Sequence, residues 1–282
     1  MSRKKIAVAV VLLNMIWSAG CGQILNASIG MEVNTEENAA YSTQRDMYKV
    51  TKLDNEVDCA NATQIEIDQL KENRLFLDQG GDYLLSGKNS NCNIIIDTYD
   101  DELVHLFLKD VELGAQEGPA IYVEKAGKVV ITVLEDTENI ILDSSEYASE
   151  TEACIFSNAD LTINGSGRLS VYGYYHDAIR SKDRLKLVKA NLYVKAKNDG
   201  LRGNDGIIIE NSDIEIESEG TGILTKSESG YIVIRGGKCK IISGENAIAA
   251  DNFVGIYDCN KDLYSVLEAV KCNGNKEIEE EH

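Results

Sequence analysis

A short sequence pattern recurs through the middle of this chain at intervals close to 22 residues. In each copy a small residue precedes an aliphatic one, and the aliphatic members are Ile121, Ile155, Ile179, Leu201, Ile223 and Ile248. Successive copies lie 34, 24, 22, 22 and 25 residues apart. A repeat of this length is typical of solenoid proteins, in which each copy stacks on the copy before it.

Short aliphatic runs follow each copy and are separated by clusters of Gly, Asn, Asp and Ser. Examples are residues 129–133 (VVITV), 169–171 (LSV) and 207–209 (III). Three such strands in about 22 residues predict one coil of an all-β, single-stranded parallel β-helix, which advances by one strand spacing of roughly 4.8 Å. Gly165 and the pair Gly236 and Gly237 are expected to form corners with positive φ.

A β-sandwich of short antiparallel strands is the alternative architecture. It also has a strand every 8–12 residues or so. It does not require the same small-aliphatic dipeptide in every copy, so the repeat favours the β-helix. The single proline, Pro119, agrees with strands that need a hydrogen-bonded neighbour on both sides.

The first 20 residues have the features of an export signal. Basic residues at positions 3–5 precede an apolar run of about a dozen residues, which is too short to span a membrane. Ser18, Ala19 and Gly20 then lead to Cys21, an order that resembles the lipobox of bacterial lipoproteins. We expect a lipid anchor on Cys21 at the extracellular face of the cell membrane. A plain secretory signal, and thus a secreted protein, is the alternative.

The charge of the chain narrows the classes of partner. There are 28 Lys and Arg against 47 Asp and Glu, a formal charge of −19, and loss of residues 1–20 leaves 25 against 47, or −22. Nucleic acids are excluded because no basic stripe is dense enough to bind phosphates, whereas cations are compatible with the charge. The sole tryptophan, Trp17, lies in the signal, so a tryptophan platform for sugars is excluded as well.

The rest of the chain divides into three parts. We predict a polar tether over residues 21–61, the β-helix over 62–260, and a C-terminal cap with an acidic tail over 261–282, while residues 60–83 cap the other end. Six cysteines remain after Cys21, an even number that permits disulfides outside the cytosol. Cys154 and Cys239 are expected in the core. The pairs to test for disulfides are Cys59 with Cys92 and Cys259 with Cys272.

Two copies of the repeat carry aspartates at the same positions. Residues 177–183 (DAIRSKD) and 199–205 (DGLRGND) place Asp177 over Asp199 and Asp183 over Asp205 in adjacent coils. Stacked carboxylates repel one another, and a Ca²⁺ ion with oxygen ligands relieves this repulsion. Pairing with Arg180 and Arg202 would relieve it equally well, so both interpretations stay open.

The chain resembles the bacterial secreted carbohydrate-binding domain-containing proteins. The resemblance is carried by residues 158–173 (NADLTINGSGRLSVYG), 177–183 and 198–205, with further similarity at 81–87 and 130–139. It implies a right-handed parallel β-helix related to pectate lyases, binding of polygalacturonate and cellulose, and bound calcium. Ala178, Ala247 and Thr221 depart from the motif, and these departures concern the strength of cation binding rather than the fold.

Two functional classes follow, and both concern polysaccharides. The first is a monomeric, non-catalytic binding protein in which Ca²⁺ joins aspartates to acidic glycans. Its sugar contacts would come from Arg180 and Arg202 and from the run Tyr172, Tyr174, Tyr175 and His176, although packing within a turn explains the run equally well. The second is a calcium-dependent lyase that acts by β-elimination, with Lys182, Arg180 or Arg202 as the base. A surface protein without a glycan ligand is a third possibility.

Overall fold

The computed structural model describes residues 48–146 and 151–279, and these form a parallel β-helix of about 9 turns with about 23 residues per turn. The predicted fold class is therefore confirmed, and the β-sandwich is wrong because the strand pairs are parallel. No helix in the described ranges has the length and hydropathy that a membrane span needs. The two 3₁₀ helices are Leu53–Asn55 and Ile67–Gln69.

The strands, in chain order, are β1 Thr63–Glu66, β2 Arg74–Leu77, β3 Gly81–Asn89, β4 Asn93–Asp97, β5 Leu103–Gly114, β6 Ile121–Lys125, β7 Lys128–Val133, β8 Glu138–Leu142, β9 Ala153–Ser157, β10 Asp160–Asn164, β11 Arg168–Gly173, β12 Asp177–Ser181, β13 Arg184–Val188, β14 Asn191–Ala196, β15 Leu201–Gly203, β16 Gly206–Ser218, β17 Ile223–Leu224, β18 Tyr231–Ser243, β19 Ile248–Ala250, β20 Phe253–Tyr257, β21 Asn260–Ser265, β22 Val270–Cys272 and β23 Asn275–Ile278.

Each coil passes through three faces. The first is a nine-stranded sheet in the order β2-β4-β6-β9-β12-β15-β17-β19-β22. The other two belong to one 14-stranded sheet, because the long strands β3, β5, β16 and β18 bend through a corner and contribute to both. We call the face before this corner, with β7, β10, β13 and β20, the strap face. The face after it, with β8, β11, β14 and β21, is the third face.

The repeated aliphatic residues form one buried column inside the nine-stranded sheet. Ile121, Ile155, Ile179, Leu201, Ile223 and Ile248 are partners in successive strand pairs, and all six are fully buried. The column fills the centre of the solenoid because alternate side chains of each strand point inward. The repeat in the sequence is thus the period of the hydrophobic core.

The corner between the strap face and the third face has a left-handed residue in each of the eight coils from β3 to β20. The residues with positive φ are Gly87, Asp110, Asp136, Gly165, Lys189, Asn211, Gly236 and Asp258, with Gly237 beside Gly236. The predicted glycine corners at Gly165 and Gly236 are confirmed. At Gly165 a side chain is also excluded, because a Cβ atom would lie 2.2 Å from the Val133 carbonyl oxygen.

Residues 48–57, which we call the strap, lie along the outside of the strap face. Asp54 is completely buried there, and its carboxylate accepts hydrogen bonds from Lys128 Nζ, from Lys186 Nζ at 2.9 Å and from Thr162 Oγ1 at 2.6 Å. The Asn164 side chain donates to the carbonyl oxygens of Asp54 and Glu56. These contacts fix the strap across β7, β10 and β13.

The strap also covers apolar side chains on the outside of this face. The Tyr48 ring lies 3.9 Å from the Tyr231 ring and joins a buried cluster with Ile208, Val233 and Phe253. Arg235 donates a hydrogen bond of 2.9 Å to the Tyr48 carbonyl oxygen. Part of the predicted tether is therefore packed on the solenoid, whereas residues 21–47 and Cys21 lie outside the described residues.

The C-terminal boundary also differs from the expectation. Residues from Asn260 to Ile278 form a further coil, in which β21, β22 and β23 pair in parallel with β18, β19 and β20. Only the start of the predicted acidic tail, up to residue 279, is described. Tyr264, Val266 and Leu267 on this coil are exposed.

The cysteines contribute to packing. All six in the described ranges are free thiols, so neither pair that we selected for testing is bridged. Cys154 and Cys239 are buried as predicted, and so are Cys92 and Cys259. Burial raises the pKa of the Cys92, Cys154 and Cys239 thiols, which makes them poor nucleophiles.

The Asp54 contacts predict how much the strap stabilises the fold. Replacing Asp54 by Ala leaves Lys128 and Lys186 largely buried without their anion, so we expect a loss of about 3–5 kcal/mol in the free energy of unfolding. Burial opposes ionisation, but the hydrogen bonds from Lys128, Lys186 and Thr162 hold the pKa of Asp54 well below its usual range. The difference between wild type and D54A should therefore shrink as the pH falls below about 4.

Urea unfolding of both proteins between pH 7 and pH 3 measures this effect. Lys88→Ala is the matched control, since its ion pair with Glu112 is exposed and should change the midpoint little. Equal midpoints for wild type and D54A at pH 7 would contradict the structural role of the strap.

Candidate functional site

The outside of the nine-stranded sheet carries a continuous column of side chains that face solvent or one another. We call it the outer column, and the strand register orders its members as Phe76, Ile95, Tyr122, Phe156, Arg180, Arg202, Leu224, Ala249 and Lys271. Each member is the residue that follows the buried aliphatic column, because successive side chains alternate between the two sides of a strand. Neighbouring members lie about one strand spacing apart, roughly 4.8 Å.

Aromatic and cationic groups meet in the middle of the outer column. The Tyr122 and Phe156 ring centroids are 6.0 Å apart. The Arg180 guanidinium carbon and the Lys182 ammonium each lie 5.5 Å from the Phe156 centroid. Phe156 is only 2% exposed because these two cations cover its face.

The two arginines of the outer column have different anionic partners. Arg180 Nη1 lies 3.3 Å from Glu152 Oε2, and Arg202 Nη1 lies 3.6 Å from Asp177 Oδ2. The Arg180 and Arg202 side chains are less than one fifth exposed. The arginines therefore neutralise part of the local acidity.

The aspartates Asp177 and Asp199 belong to a hydrogen-bonded ladder that joins successive coils. Asp177 Oδ1 accepts the N–H of Asp199 at 3.1 Å, and Asp199 Oδ1 accepts the N–H of Thr221 at 2.9 Å. Asn246 occupies a later position of this ladder and accepts the N–H of Glu268 at 3.3 Å. One oxygen of each aspartate thus has a structural role that an amide can also perform.

The second oxygen of each ladder aspartate is buried and accepts no hydrogen bond, although Asp177 Oδ2 faces the Arg202 guanidinium at 3.6 Å. These atoms are Asp177 Oδ2 and Asp199 Oδ2, and the two side chains are at most 3% exposed. Burial, followed by the charge of Asp177, raises the pKa of Asp199. A proton, a ligand hydroxyl group or a cation would each satisfy such an oxygen.

The other predicted pair, Asp183 and Asp205, lies beyond the opposite ends of the same strands. The two coils are joined there by the N–H of Asp205, which donates to the Asp183 carbonyl oxygen at 3.1 Å. Burial raises the pKa of Asp183, and the charges of Asp160 and Asp205 add to this effect. The four predicted aspartates therefore form two separate pairs.

Two carboxylates are too few to complete a calcium site, which takes six to eight oxygen ligands. Across residues 48–146 and 151–279, no group of three or more His, Cys, Asp or Glu side chains is arranged to hold a metal ion. Each aspartate pair can supply part of a coordination shell. The remaining ligands would have to come from water or from a bound glycan.

The predicted tyrosine run begins in β11 with Tyr172 and continues through the turn that leads into β12. The Tyr172 and Tyr174 rings are stacked with centroids 5.8 Å apart, and Tyr174 is 44% exposed. Asp143 Oδ1 accepts the N–H of Tyr174 at 2.6 Å, which fixes the turn. Tyr175 is partly buried against His176, and His176 Nδ1 lies 2.9 Å from Asp177 Oδ1. The run thus borders the start of the aspartate ladder.

Tyr122 and Phe156 were not among the predicted site residues. The signal for them was present, since each stands directly after an aliphatic member of the repeat, where Arg180 and Arg202 stand in later copies. Comparing that position between copies would have identified the outer column.

Comparisons with known proteins identify the family and support the fold. The family model described as carbohydrate-binding domain-containing protein matches residues 71–279. The chain belongs to this family. A protein of Acetivibrio thermocellus with the same description is 29% identical over 290 residues, which cover 99% of this chain and 97% of the relative.

A solved structure is also similar to the β-helix. It is the gadolinium derivative of the polysaccharide lyase-like protein from C. thermocellum, with a TM-score of 0.72 and 28% identity over 75% of this chain and 90% of that one. The carbohydrate-binding family and the polysaccharide lyase-like fold are thus established for this chain.

The aspartate ladder predicts opposite effects for two substitutions at one position. Asp199→Ala removes the acceptor of the Thr221 N–H and should cost about 1–3 kcal/mol of stability. Asp199→Asn retains an acceptor, as Asn246 does, and removes a buried charge. Because the pKa of Asp199 is raised, its ionised form destabilises the fold at pH 7, so D199N should equal or exceed the wild type there.

Denaturant unfolding in the presence of a chelator tests this pair of variants. The advantage of D199N should disappear as the pH falls below about 4, where Asp199 is protonated in both the folded and unfolded chain. Equal losses in D199A and D199N would show that the ladder hydrogen bond is not what Asp199 contributes.

Proposed function

We propose that this chain is a monomeric, non-catalytic polysaccharide-binding protein whose glycan lies along the outer column. The observation that carries the proposal is the run of Tyr122, Phe156, Arg180 and Arg202 in four successive coils. The strand spacing is comparable to the length of one sugar residue in an extended chain, so successive sugars meet successive coils. The A. thermocellus relative supports the same class of ligand through its description as a carbohydrate-binding domain-containing protein.

The chemistry of the outer column favours acidic glycans. The partly exposed Tyr122 ring can accept the apolar face of a sugar, whereas Phe156 is covered and holds Arg180 and Lys182 in place. Guanidinium groups bind carboxylates with paired hydrogen bonds. Polygalacturonate is the acidic plant glycan that we propose, and cellulose is a neutral one that could occupy the aromatic part. We assign carboxylate binding to Arg180 and Arg202, and a sugar contact at the edge of the sheet to the exposed Tyr174.

Calcium assistance is a second part of the proposal. A chain with a formal charge of −19 repels an anionic glycan, and a divalent cation between the two removes that repulsion. Asp177 and Asp199 would contribute the oxygens that lack hydrogen-bond partners, and uronate carboxylates would complete the shell. In this arrangement cation and glycan bind together.

A calcium-dependent lyase acting by β-elimination is the alternative function. Its base would have to be uncharged before it removes a proton from the substrate. Arg180 and Arg202 each face a carboxylate, and Lys182 lies over the Phe156 ring, so all three groups already have partners within the protein. These contacts favour binding over catalysis.

We also propose that the protein is held at the extracellular face of the cell membrane through a lipid on Cys21. The support is the sequence of residues 1–21 alone. Mass spectrometry of the N-terminal peptide from bacterial membranes tests it, and an unmodified Cys21 in a secreted chain would contradict it.

Binding measurements on the whole chain test the glycan proposal. Isothermal titration calorimetry with polygalacturonate and calcium should show binding that a chelator weakens, and Arg202→Gln should weaken it about tenfold through the loss of a charged hydrogen bond. Arg168→Gln, on the third face, is the matched control and should bind as the wild type does. Equal affinities for R202Q and wild type would contradict the proposal that the glycan binds along the outer column.

The same samples distinguish binding from catalysis. β-Elimination creates an unsaturated uronide that absorbs ultraviolet light, so we expect no sustained rise in absorbance during incubation with polygalacturonate and calcium. A steady rise that Lys182→Met abolishes would establish the lyase instead.

A further inference from the structure

A group of tyrosines lies on the third face, away from the outer column. Tyr172 belongs to β11 and Tyr193 to its neighbour β14, and Tyr174 follows β11 in the turn toward the nine-stranded sheet. The centroid of the Tyr172 ring is 5.8 Å from that of Tyr174 and 5.9 Å from that of Tyr193. These three rings form one group, which we call the tyrosine cluster.

The tyrosine cluster is accessible to a ligand. Tyr174 is 44% exposed, and Tyr172 and Tyr193 are partly exposed. In the middle of the outer column, by contrast, only Tyr122 offers a partly exposed ring, because Phe156 is covered. A sugar that packs its apolar face on aromatic rings therefore meets more of them on the third face.

The charges of the third face balance, although the chain as a whole is strongly acidic. Strands β8, β11 and β14, with the parts of β16 and β18 that follow the corner, contain four basic and four acidic residues, namely Arg168, Lys195, Lys238 and Lys240 against Glu138, Asp213, Glu215 and Glu217. Lys240 lies 2.6 Å from Glu215, and Lys195 lies 3.8 Å from Glu217. This face gives an acidic glycan no net attraction, whereas its paired charges offer donors and acceptors to the hydroxyl groups of a neutral one.

The angles between the rings indicate the form of the ligand. The Tyr172 and Tyr174 rings are inclined to each other by 21°, whereas the Tyr193 ring is turned by 60° from that of Tyr172. The flat surface of a crystalline polysaccharide needs rings that lie in one plane, and these rings do not. They suit a single glycan chain, in which successive sugars can present their faces in different directions.

We propose that the tyrosine cluster is a second glycan-binding surface, which binds a single chain of neutral sugars and is separate from the outer column. The inference goes beyond the proposed function, because it assigns acidic and neutral glycans to different faces of the solenoid. Tyr193 and Arg202 lie in the same coil but on different faces, the third face and the nine-stranded sheet. The protein can thus hold two glycans at once and join them.

Calorimetry on the whole chain with cellohexaose, a soluble neutral oligosaccharide, tests the ligand. The wild type should bind it equally well with and without a chelator. Tyr193→Ala should weaken binding about tenfold through the loss of one ring contact, and Tyr193→Phe, which keeps the ring, should lose much less. Tyr99→Ala is the matched control, since Tyr99 is an exposed tyrosine in the turn after β4, and it should bind as the wild type does.

Urea unfolding checks that Y193A is folded. Tyr174→Ala is a second variant, at the exposed end of the tyrosine cluster, and should also weaken the binding of cellohexaose.

Competition tests whether the two surfaces are separate. Saturating polygalacturonate with calcium should leave the affinity for cellohexaose unchanged, and Y193A should bind polygalacturonate as the wild type does. Displacement of cellohexaose by polygalacturonate would overturn this inference and leave the proposed function intact.

The remaining outcomes are equally distinct. Equal affinities of Y193A and wild type for cellohexaose would overturn the inference, and so would binding to microcrystalline cellulose without binding to cellohexaose. Failure of polygalacturonate alone to bind would overturn the proposed function and leave the tyrosine cluster as the glycan-binding surface.

Discussion

The parallel pairing of each coil with the next, in a register that shifts only within the β3–β5 and β4–β6 pairs of the described strands, is the constraint on which the rest of this structure depends. It stacks equivalent residues of successive coils in straight columns. A residue type that recurs at one position of the repeat therefore forms a continuous row along the solenoid axis. Inside the nine-stranded sheet this produces a continuous aliphatic core. Outside it, the same register aligns the aromatic rings of Tyr122 and Phe156 with the guanidinium groups of Arg180 and Arg202.

Stacking also has an electrostatic cost, because like charges come to lie one coil apart. The structure reduces this cost in two ways. Oppositely charged residues alternate between coils at the surface, as in Lys197 with Glu219 and Lys240 with Glu215. In the ladder of Asp177 and Asp199, backbone N–H groups of the next coil donate to the carboxylates. One oxygen of each aspartate, Asp177 Oδ2 and Asp199 Oδ2, remains there without a hydrogen bond.

The fold could be predicted because its signal is periodic. A small residue and an aliphatic one recur at the coil length, and all the repeated aliphatic residues lie in one column. The corner at the end of the strap face was predicted only where it contains glycine, since Asp110, Lys189 and Asn211 adopt positive φ without an equivalent local signal. Candidate site residues were found where two copies matched, as at Arg180 and Arg202, and were missed where the same position held an aromatic residue.

The strap could not be predicted from spacing, because Asp54 contacts Lys128 and Lys186 from 74 and 132 residues away. A composition signal did exist. Residues 207–209 and 232–234 are aliphatic at every position, and a strand that is apolar on both sides must be covered on both sides.

The strap changes how cooperatively the coils of the solenoid unfold. Coils that touch only their neighbours behave as a one-dimensional chain, which can open from either end one unit at a time. The strap contacts β7, β10 and β13 through Asp54 and Asn164, and β18 and β20 through Tyr48, so it connects coils that do not touch one another. Fraying of the C-terminal coils then disturbs the contacts of the middle ones, so a surface that successive coils build together, such as the outer column, is kept or lost as a unit.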